Sequence, residues 1–178
     1  MKGKLKVAML VEDGFEQVEL VEPKKALEAE GATVHIISPK DTVRGWQHTK
    51  WGDTFDVDVL LDDANVDDYD VLVLPGGVMN PDKLRMIPAA IDFIRAFHNA
   101  KKPIAAICHG PWPLIDAGVV QGKTMTSYPS IKHDLINAGA NWVDQEVVID
   151  GNVVTSRKPS DIPKFNEGII DIIFRKKE

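Results

Sequence analysis

Pro103-Ile104-Ala105-Ala106-Ile107-Cys108-His109-Gly110 decides how this chain is read. An unbroken apolar run from Ile104 to Ile107 behind a proline has the pattern of a short strand buried on both faces. Gly110 to Ala117 can be helical, with Gly118 as its stop. Cys108 therefore stands between a strand end and a helix start, with the small residues Ala106 and Gly110 two positions to either side. This is the layout of a nucleophile elbow, a sharp, strained turn that lifts a reactive side chain above the edge of a sheet. Small neighbours are required because the turn crowds backbone against side chain. A lone intracellular cysteine otherwise reads as a small packed hydrophobe, and the elbow context is what argues against that here.

Outward from this segment, short apolar runs alternate with amphipathic ones. Leu5 to Val11, Thr33 to Ser38 and Val71 to Leu74 read as buried strands, the last terminated by Pro75-Gly76-Gly77. Glu16 to Glu30 has helical character, with Pro23 expected in the first turn and Gly31 just past the end. Pro88 to Lys102 carries Ile91, Ile94 and Phe97 at helical spacing, and Ile162, Phe165, Ile169, Ile172 and Ile173 stripe a C-terminal helix. Asp150-Gly151, between Val147 to Ile149 and Val153-Val154, predicts a tight hairpin. The alternation predicts an α/β fold, a mostly parallel sheet covered on both faces, over residues 1–178 as one domain. Functional residues in such a sheet belong immediately after Val11, Leu74 and Ile107. Arg44 to Asp70 is the least regular stretch and reads as a hairpin or covering loop with an acidic, solvated face; it lacks the alternation of a calcium loop.

Composition narrows the function. Among 178 residues, 44% are apolar and 27% charged, the balance of an ordinary globular protein. Lys plus Arg total 21 against 27 Asp plus Glu, a formal charge of −6, which speaks against a nucleic-acid surface; the basic tail Arg175-Lys176-Lys177 is too short for one. A single cysteine excludes an intrachain disulfide and a zinc site of several thiolates; no metal or cofactor is expected. The apolar stretch Leu5 to Val11 is too short for a signal segment, and no run is long enough to span a membrane. A cytoplasmic protein with no membrane partner is the expectation.

The helix start and nearby N–H groups should favour the Cys108 thiolate, placing its pKa below the roughly 8.5 of a free thiol. His109 is the candidate base, although neighbouring side chains usually diverge. It serves only if the elbow bends it back or a carboxylate orients it. His35, His48, His98 and His133 read as surface or core residues. The backbone of Pro75-Gly76-Gly77 can place an N–H opposite that of His109, making Gly76, Gly77 and His109 a candidate oxyanion hole; it reads equally as a plain turn. Glu16, after the first strand, is either a protonated donor to the sulfur or a first-turn helix acid.

These residues carry a resemblance. With Glu12-Asp13-Gly14-Phe15-Glu16, Glu19-Leu20, Pro75-Gly76-Gly77, Ala105-Ala106-Ile107-Cys108-His109-Gly110-Pro111 and Thr126-Ser127-Tyr128-Pro129, the chain resembles the ThiJ/PfpI superfamily. It is close to the PfpI-type intracellular proteases and general stress proteins. Asn137-Ala138-Gly139-Ala140 with Trp142, and Asp150-Gly151 with Thr155-Ser156-Arg157, extend the match toward the last helix. The resemblance implies a three-layer, flavodoxin-like sandwich, similar also to class I glutamine amidotransferases. It implies Cys108 as nucleophile, His109 as its partner, Glu16 as the acid contacting sulfur, and homodimers or larger rings. An acidic residue donated by the neighbouring subunit is implied too, for which Asp82 is the nearest match. A glutaminase of the amidotransferase kind would add a His and Glu pair near the C-terminus, and no His follows His133.

Three functional classes follow. The first is a cysteine-dependent stress enzyme that repairs glycated groups or detoxifies methylglyoxal-like dicarbonyls, a deglycase or glyoxalase type; it needs only a small pocket and leads our ranking. The second is an ATP-independent intracellular cysteine peptidase, which needs a peptide groove and an oriented histidine. The third is non-enzymatic, a holdase chaperone or a sensor whose Cys108 is oxidised.

Overall fold

The computed structural model describes residues 4–174. The tail Arg175-Lys176-Lys177 lies outside the described residues. From the N-terminal side, β1 (Lys6–Leu10) and the short β2 (Phe15–Glu16) lead into α1 (Gln17–Ala29). β3 (Thr33–Ser38) follows, then β4 (Thr42–Gln47), β5 (Lys50–Asp56) and β6 (Val59–Leu60). β7 (Val71–Leu74) precedes α2 (Met79–Arg85) and α3 (Pro88–Asn99), and β8 (Ile104–Ile107) precedes α4 (Trp112–Asp116). β9 (Thr124–Met125), α5 (Lys132–Asn137), β10 (Asn141–Trp142), β11 (Val148–Asp150), β12 (Val153–Ser156) and α6 (Ile162–Phe174) complete the described chain.

Seven strands form one sheet in the order β11-β12-β8-β7-β1-β3-β6. All neighbours are parallel except β11, which turns back on β12 through Gly151, at φ +59°. The chain winds outward from β1 through β3 to β6, then returns to the other side of β1 and winds through β7, β8 and β12. Its direction reverses between β1 and β7, the crevice where open parallel sheets place their sites, and the order β3-β1-β7-β8-β12 is that of flavodoxin-like sheets.

Alternation along the strands fills two apolar layers. Ala8, Leu10, Leu72, Leu74, Ile104 and Ala106 face one, with Ile94, Phe97 and Leu114 of the covering helices. Val7, Met9, Val71, Val73, Ala105 and Ile107 face the other, packed by Leu20, Leu27, Phe165 and Ile169. Each strand is apolar throughout because each is covered twice, and the result is the three-layer sandwich expected.

Three expectations change in detail. Pro23 sits in the interior of α1 rather than its first turn, because the helix opens already at Gln17; the proline ring is buried and withholds an N–H from the Glu19 carbonyl one turn earlier. The helix expected over Gly110 to Ala117 is only the five residues of α4. The irregular region contains the expected hairpin, β4 with β5, which begins at Thr42, but it also supplies β6 to the sheet edge. That hairpin docks through β2, pairing Phe15 with Gly45 and Glu16 with Trp46. Among the described residues no helix is long and apolar enough to cross a membrane.

Gly110 shows how tightly the elbow is set on the sheet: a Cβ there would lie 2.4 Å from the Leu74 carbonyl oxygen and 2.8 Å from that of Ile107. Gly110→Ala should therefore destabilise the protein by roughly 1–3 kcal/mol, read from urea unfolding, and slow Cys108 alkylation by displacing the turn. Wild-type stability in this variant would show that the elbow yields freely.

Candidate active site

Three loops converge at the carboxyl edge of the sheet, after β1, β7 and β8, as the alternation predicts. Cys108 follows β8 directly and holds φ +63°, a left-handed conformation that costs a non-glycine residue about 1–3 kcal/mol. The strain is held from both sides. The Cys108 N–H donates to the Ser156 carbonyl at 3.0 Å, its carbonyl accepts from the Tyr128 N–H at 2.9 Å, and the Gly110 N–H closes the turn onto Ile107 at 2.8 Å. The elbow expected from the sequence is present.

The bend also answers the objection to adjacent catalytic side chains. His109 Nδ1 lies 3.2 Å from Cys108 Sγ, and Nε2 lies 3.2 Å from the Ser130 hydroxyl. The imidazole stacks on Tyr128 with ring centroids 5.0 Å apart and meets the edge of Trp112 at 5.1 Å. Burial lowers its pKa, with the Asp134 charge opposing, so the ring is neutral at neutral pH. A hydroxyl at Nε2 can accept or donate, so either tautomer keeps both contacts and Nδ1 is free to take or return the thiol proton.

The acid beside the sulfur is Glu19, not Glu16. Glu19 has no exposed surface, and its Oε1 accepts the Gly76 N–H at 3.0 Å. Its Oε2 is left without a hydrogen-bond partner, and the nearby Cys108 thiol offsets only part of the rise in its pKa. Burial pushes the Glu19 pKa up to about 8, ahead of the opposing Gly76 N–H, so the carboxyl is protonated at neutral pH. Glu16 lines the same cavity, but its Oε1 lies 3.5 Å from His48 Nδ1 and 3.3 Å from the His48 N–H. The sequence carried a signal for Glu19 that the strand-end argument passed over. Glu19, Pro23 and Leu27 repeat at four-residue spacing on the buried stripe of α1, and a carboxyl on such a stripe must be neutral or paired.

The glycine turn divides its donors. The Gly76 N–H is committed to Glu19, whereas the Gly77 and His109 N–H groups stabilise negative charge on the Cys108 sulfur. Of the three groups expected at an oxyanion hole, Gly77 and His109 keep their N–H groups on the side of the sulfur, and Gly76 gives its own to Glu19. Both glycines are required by contact: a Cβ on Gly76 would lie 2.7 Å from Cys108 Cβ and from Glu19 Oε1, and one on Gly77 2.5 Å from the Gly14 carbonyl oxygen. Asn80, fully buried and missed by sequence reasoning, clamps this turn. Its Nδ2 donates to the carbonyls of Pro75 at 3.0 Å and Gly76 at 3.1 Å, and its Oδ1 accepts the Glu12 N–H at 2.7 Å.

The thiol itself runs against expectation. Burial first, then the Glu19 carboxylate, raise the Cys108 pKa, and the Gly77 and His109 N–H groups only partly offset them. The helix expected to lower it is a five-residue segment starting at Trp112, too short and too distant to carry much dipole. Protonating Glu19 removes the repulsion and turns the carboxyl into a donor, so sulfur and carboxyl are poised to share one proton. Asp82 is exposed in the first turn of α2, the helix whose N-terminal residue Met79 lines the cavity, and does not itself line it. That cavity, of about 500 Å³, is walled by Glu19, Gly77, Cys108, His109 and Tyr128 and roofed by Trp46 and His48 of the hairpin, the latter a residue that sequence reasoning had set aside.

A family model described as the DJ-1/PfpI family matches residues 5–172. The chain belongs to the DJ-1/PfpI family. It is 46% identical over 158 residues to a protein of Pyrococcus abyssi named a deglycase, covering 89% of this chain and 93% of that one. It is 44% identical over 169 residues to YraA of Bacillus subtilis, named as a candidate cysteine protease, covering 94% and 98%. Among solved structures, Drosophila melanogaster DJ-1beta superposes with a TM-score of 0.87 at 29% identity, covering 96% of this chain and 91% of that one. The family places its fold, as this chain does, on a mostly parallel sheet between helical layers.

The Glu19 carboxyl makes two measurable demands. Once ionised the Glu19 carboxylate opposes the thiolate, so Glu19→Ala and Glu19→Gln should both move the Cys108 alkylation midpoint downward, and Gln, which keeps a donor beside the sulfur, should move it further. Its raised pKa also links folding to pH: the stabilisation is complete below the unfolded value near 4.5 and is lost as pH rises through about 8. Glu19→Gln should flatten that fall in a series of unfolding curves; an unchanged slope would place the proton elsewhere.

Proposed function

We propose that this protein is a cysteine-dependent enzyme acting on small carbonyl compounds, repairing early glycation adducts and consuming methylglyoxal-like dicarbonyls. One observation carries the reading. A strained cysteine, a protonated carboxyl and a neutral imidazole meet at the floor of a cavity of about 500 Å³, sized for a small ligand. The deglycase name of the Pyrococcus abyssi relative supports it.

In the proposed chemistry the thiol proton passes to His109 Nδ1 and sulfur adds to the aldehyde carbon. A C–S bond forms, the carbonyl π pair moves to oxygen, and Glu19 supplies the proton that completes a hemithioacetal. From a glycated amine the same C–S bond forms as the C–N bond breaks, and the amine leaves with the proton. The remaining hydrogen of that carbon moves as a proton to the adjacent carbonyl oxygen, giving an enediol, and the hydroxyl proton of the former aldehyde then moves to the adjacent carbon, giving a 2-hydroxy thioester. One carbon is oxidised and its neighbour reduced, so the step balances without an external oxidant or reductant. Water then cleaves the C–S bond, releasing a 2-hydroxy acid and the thiol.

A peptidase reading is favoured by the 3.2 Å Cys108–His109 contact and by the name of the Bacillus subtilis relative. It needs a group holding His109 Nε2, which here meets Ser130. We propose a homo-oligomer in which Asp82 of one chain approaches His109 of another; exposure of Asp82 on the helix beside the cavity supports this arrangement. Mixing Cys108→Ser with Asp82→Ala chains, after dissociation and reassembly, should then restore activity that neither parent has. Full activity in Asp82→Ala alone removes it from the mechanism.

Wild type and Cys108→Ser should be compared on methylglyoxal, a glycated peptide and the unmodified peptide, with buffer thiols excluded. Wild type is expected to release 2-hydroxy acid from the first two substrates about a hundredfold faster or more. Equal rates would overturn the reading, and cleavage of the unmodified peptide alone would transfer it to the peptidase.

A further inference from the structure

A second cavity, of about 480 Å³, adjoins the first on the far side of Glu16 and His48, two residues that line both. Its walls are the exposed face of α1, with Gln17 and Glu22, and the β4–β5 hairpin, with Gln47 and Lys50. The partition between the cavities is slight. His48 sits at the hairpin tip with φ +57°, its side chain is 76% exposed, and its ring nitrogen lies 3.5 Å from Glu16 Oε1, at the outer limit of a hydrogen bond. Swinging the imidazole into solvent would join the two spaces along the Glu16 carboxylate without moving the central sheet.

The charge of the second cavity is selective. Glu16 and Glu22 face it from α1 and its start, and Lys50 is the one ammonium among its lining residues. Two carboxylates against one ammonium favour a cationic occupant. A free dicarbonyl is too small to reach this space from Cys108 and gains nothing from it. A glycated amine does reach: its reacting carbon must lie at Sγ, and the chain bearing the nitrogen must extend away from the buried floor.

We propose that this second cavity is a subsite for the amine-bearing portion of a glycated amino acid or peptide, selecting adducts that carry a further positive charge, with Glu22 as its specificity-determining residue. The inference rests on the carbonyl chemistry proposed above and adds to it a substrate class, adducts of cationic amines over free dicarbonyls and over adducts of anionic ones.

The test compares two methylglyoxal adducts of equal reach. One is on the ε-amine of lysine amide, which ends in an ammonium; the other is on 6-aminohexanoate, which ends in a carboxylate. Wild type should favour the lysine adduct in kcat/KM by about fivefold, the scale of an exposed charge pair. The preference should sit in KM rather than kcat, shrink toward unity in Glu22→Gln and invert in Glu22→Lys. Glu22 is exposed on a helix surface, so both variants should fold, and circular dichroism checks this. Binding of the same adducts to the Cys108→Ser protein, followed by calorimetry, reads the subsite without turnover. If wild type consumes neither methylglyoxal nor adduct, the carbonyl chemistry falls while the binding comparison still decides the subsite. If turnover is present but selectivity and binding are indifferent to Glu22, the subsite is overturned.

Discussion

The close approach of three chain segments at Gly76 is the constraint on which the site depends. The turn after β7 passes so near the elbow after β8 and the first turn of α1 that no side chain fits between them. A protein interior tolerates such backbone contact only where polar groups are matched, and here they are. The Gly76 N–H meets Glu19, Asn80 takes the carbonyls of Pro75 and Gly76, and the Cys108 backbone is tied to Ser156 and Tyr128. The strain at Cys108 persists because every neighbour is fixed by another contact. The central sheet, with strands covered on both faces, supplies the rigidity that makes this possible.

Burying Glu19 in that junction has a chemical result. A carboxyl removed from water favours its neutral form, and a neutral carboxyl next to sulfur can give up a proton in the proposed reaction instead of repelling the thiolate. The neutral imidazole on the other side of the sulfur complements it. One group is set to donate and the other to accept, and burial assigns both roles. Differences between the pKa values of neighbouring groups, more than either value alone, give the site its direction.

Much of this was legible in the sequence. Uninterrupted apolar runs identified the doubly covered strands, and the small residues around Cys108 identified the elbow, because both patterns follow from local packing. The choice between Glu16 and Glu19 was less accessible. Distance from a strand end does not reveal which way a side chain points, and only the helical stripe through Glu19, Pro23 and Leu27 turns it inward. Asn80 and Ser130 escaped notice, and Tyr128 stood only within a motif, because their roles arise where segments distant in sequence meet. The thiol was misjudged for a related reason: burial is a property of the assembled site, and it outweighs a helix of five residues.

The residues proposed to move protons and the residues that roof the cavity come from different parts of the chain. Glu19, Cys108 and His109 are anchored to the central sheet and α1, whereas Trp46, His48 and Lys50 belong to a peripheral hairpin that forms a separate small sheet with β2. Changes in the length or composition of that hairpin alter the roof and leave the proton machinery in place. The molecule is thus divided into a conservative half and a pliable half, and adaptation to new molecules can proceed by trial in the second without endangering the first.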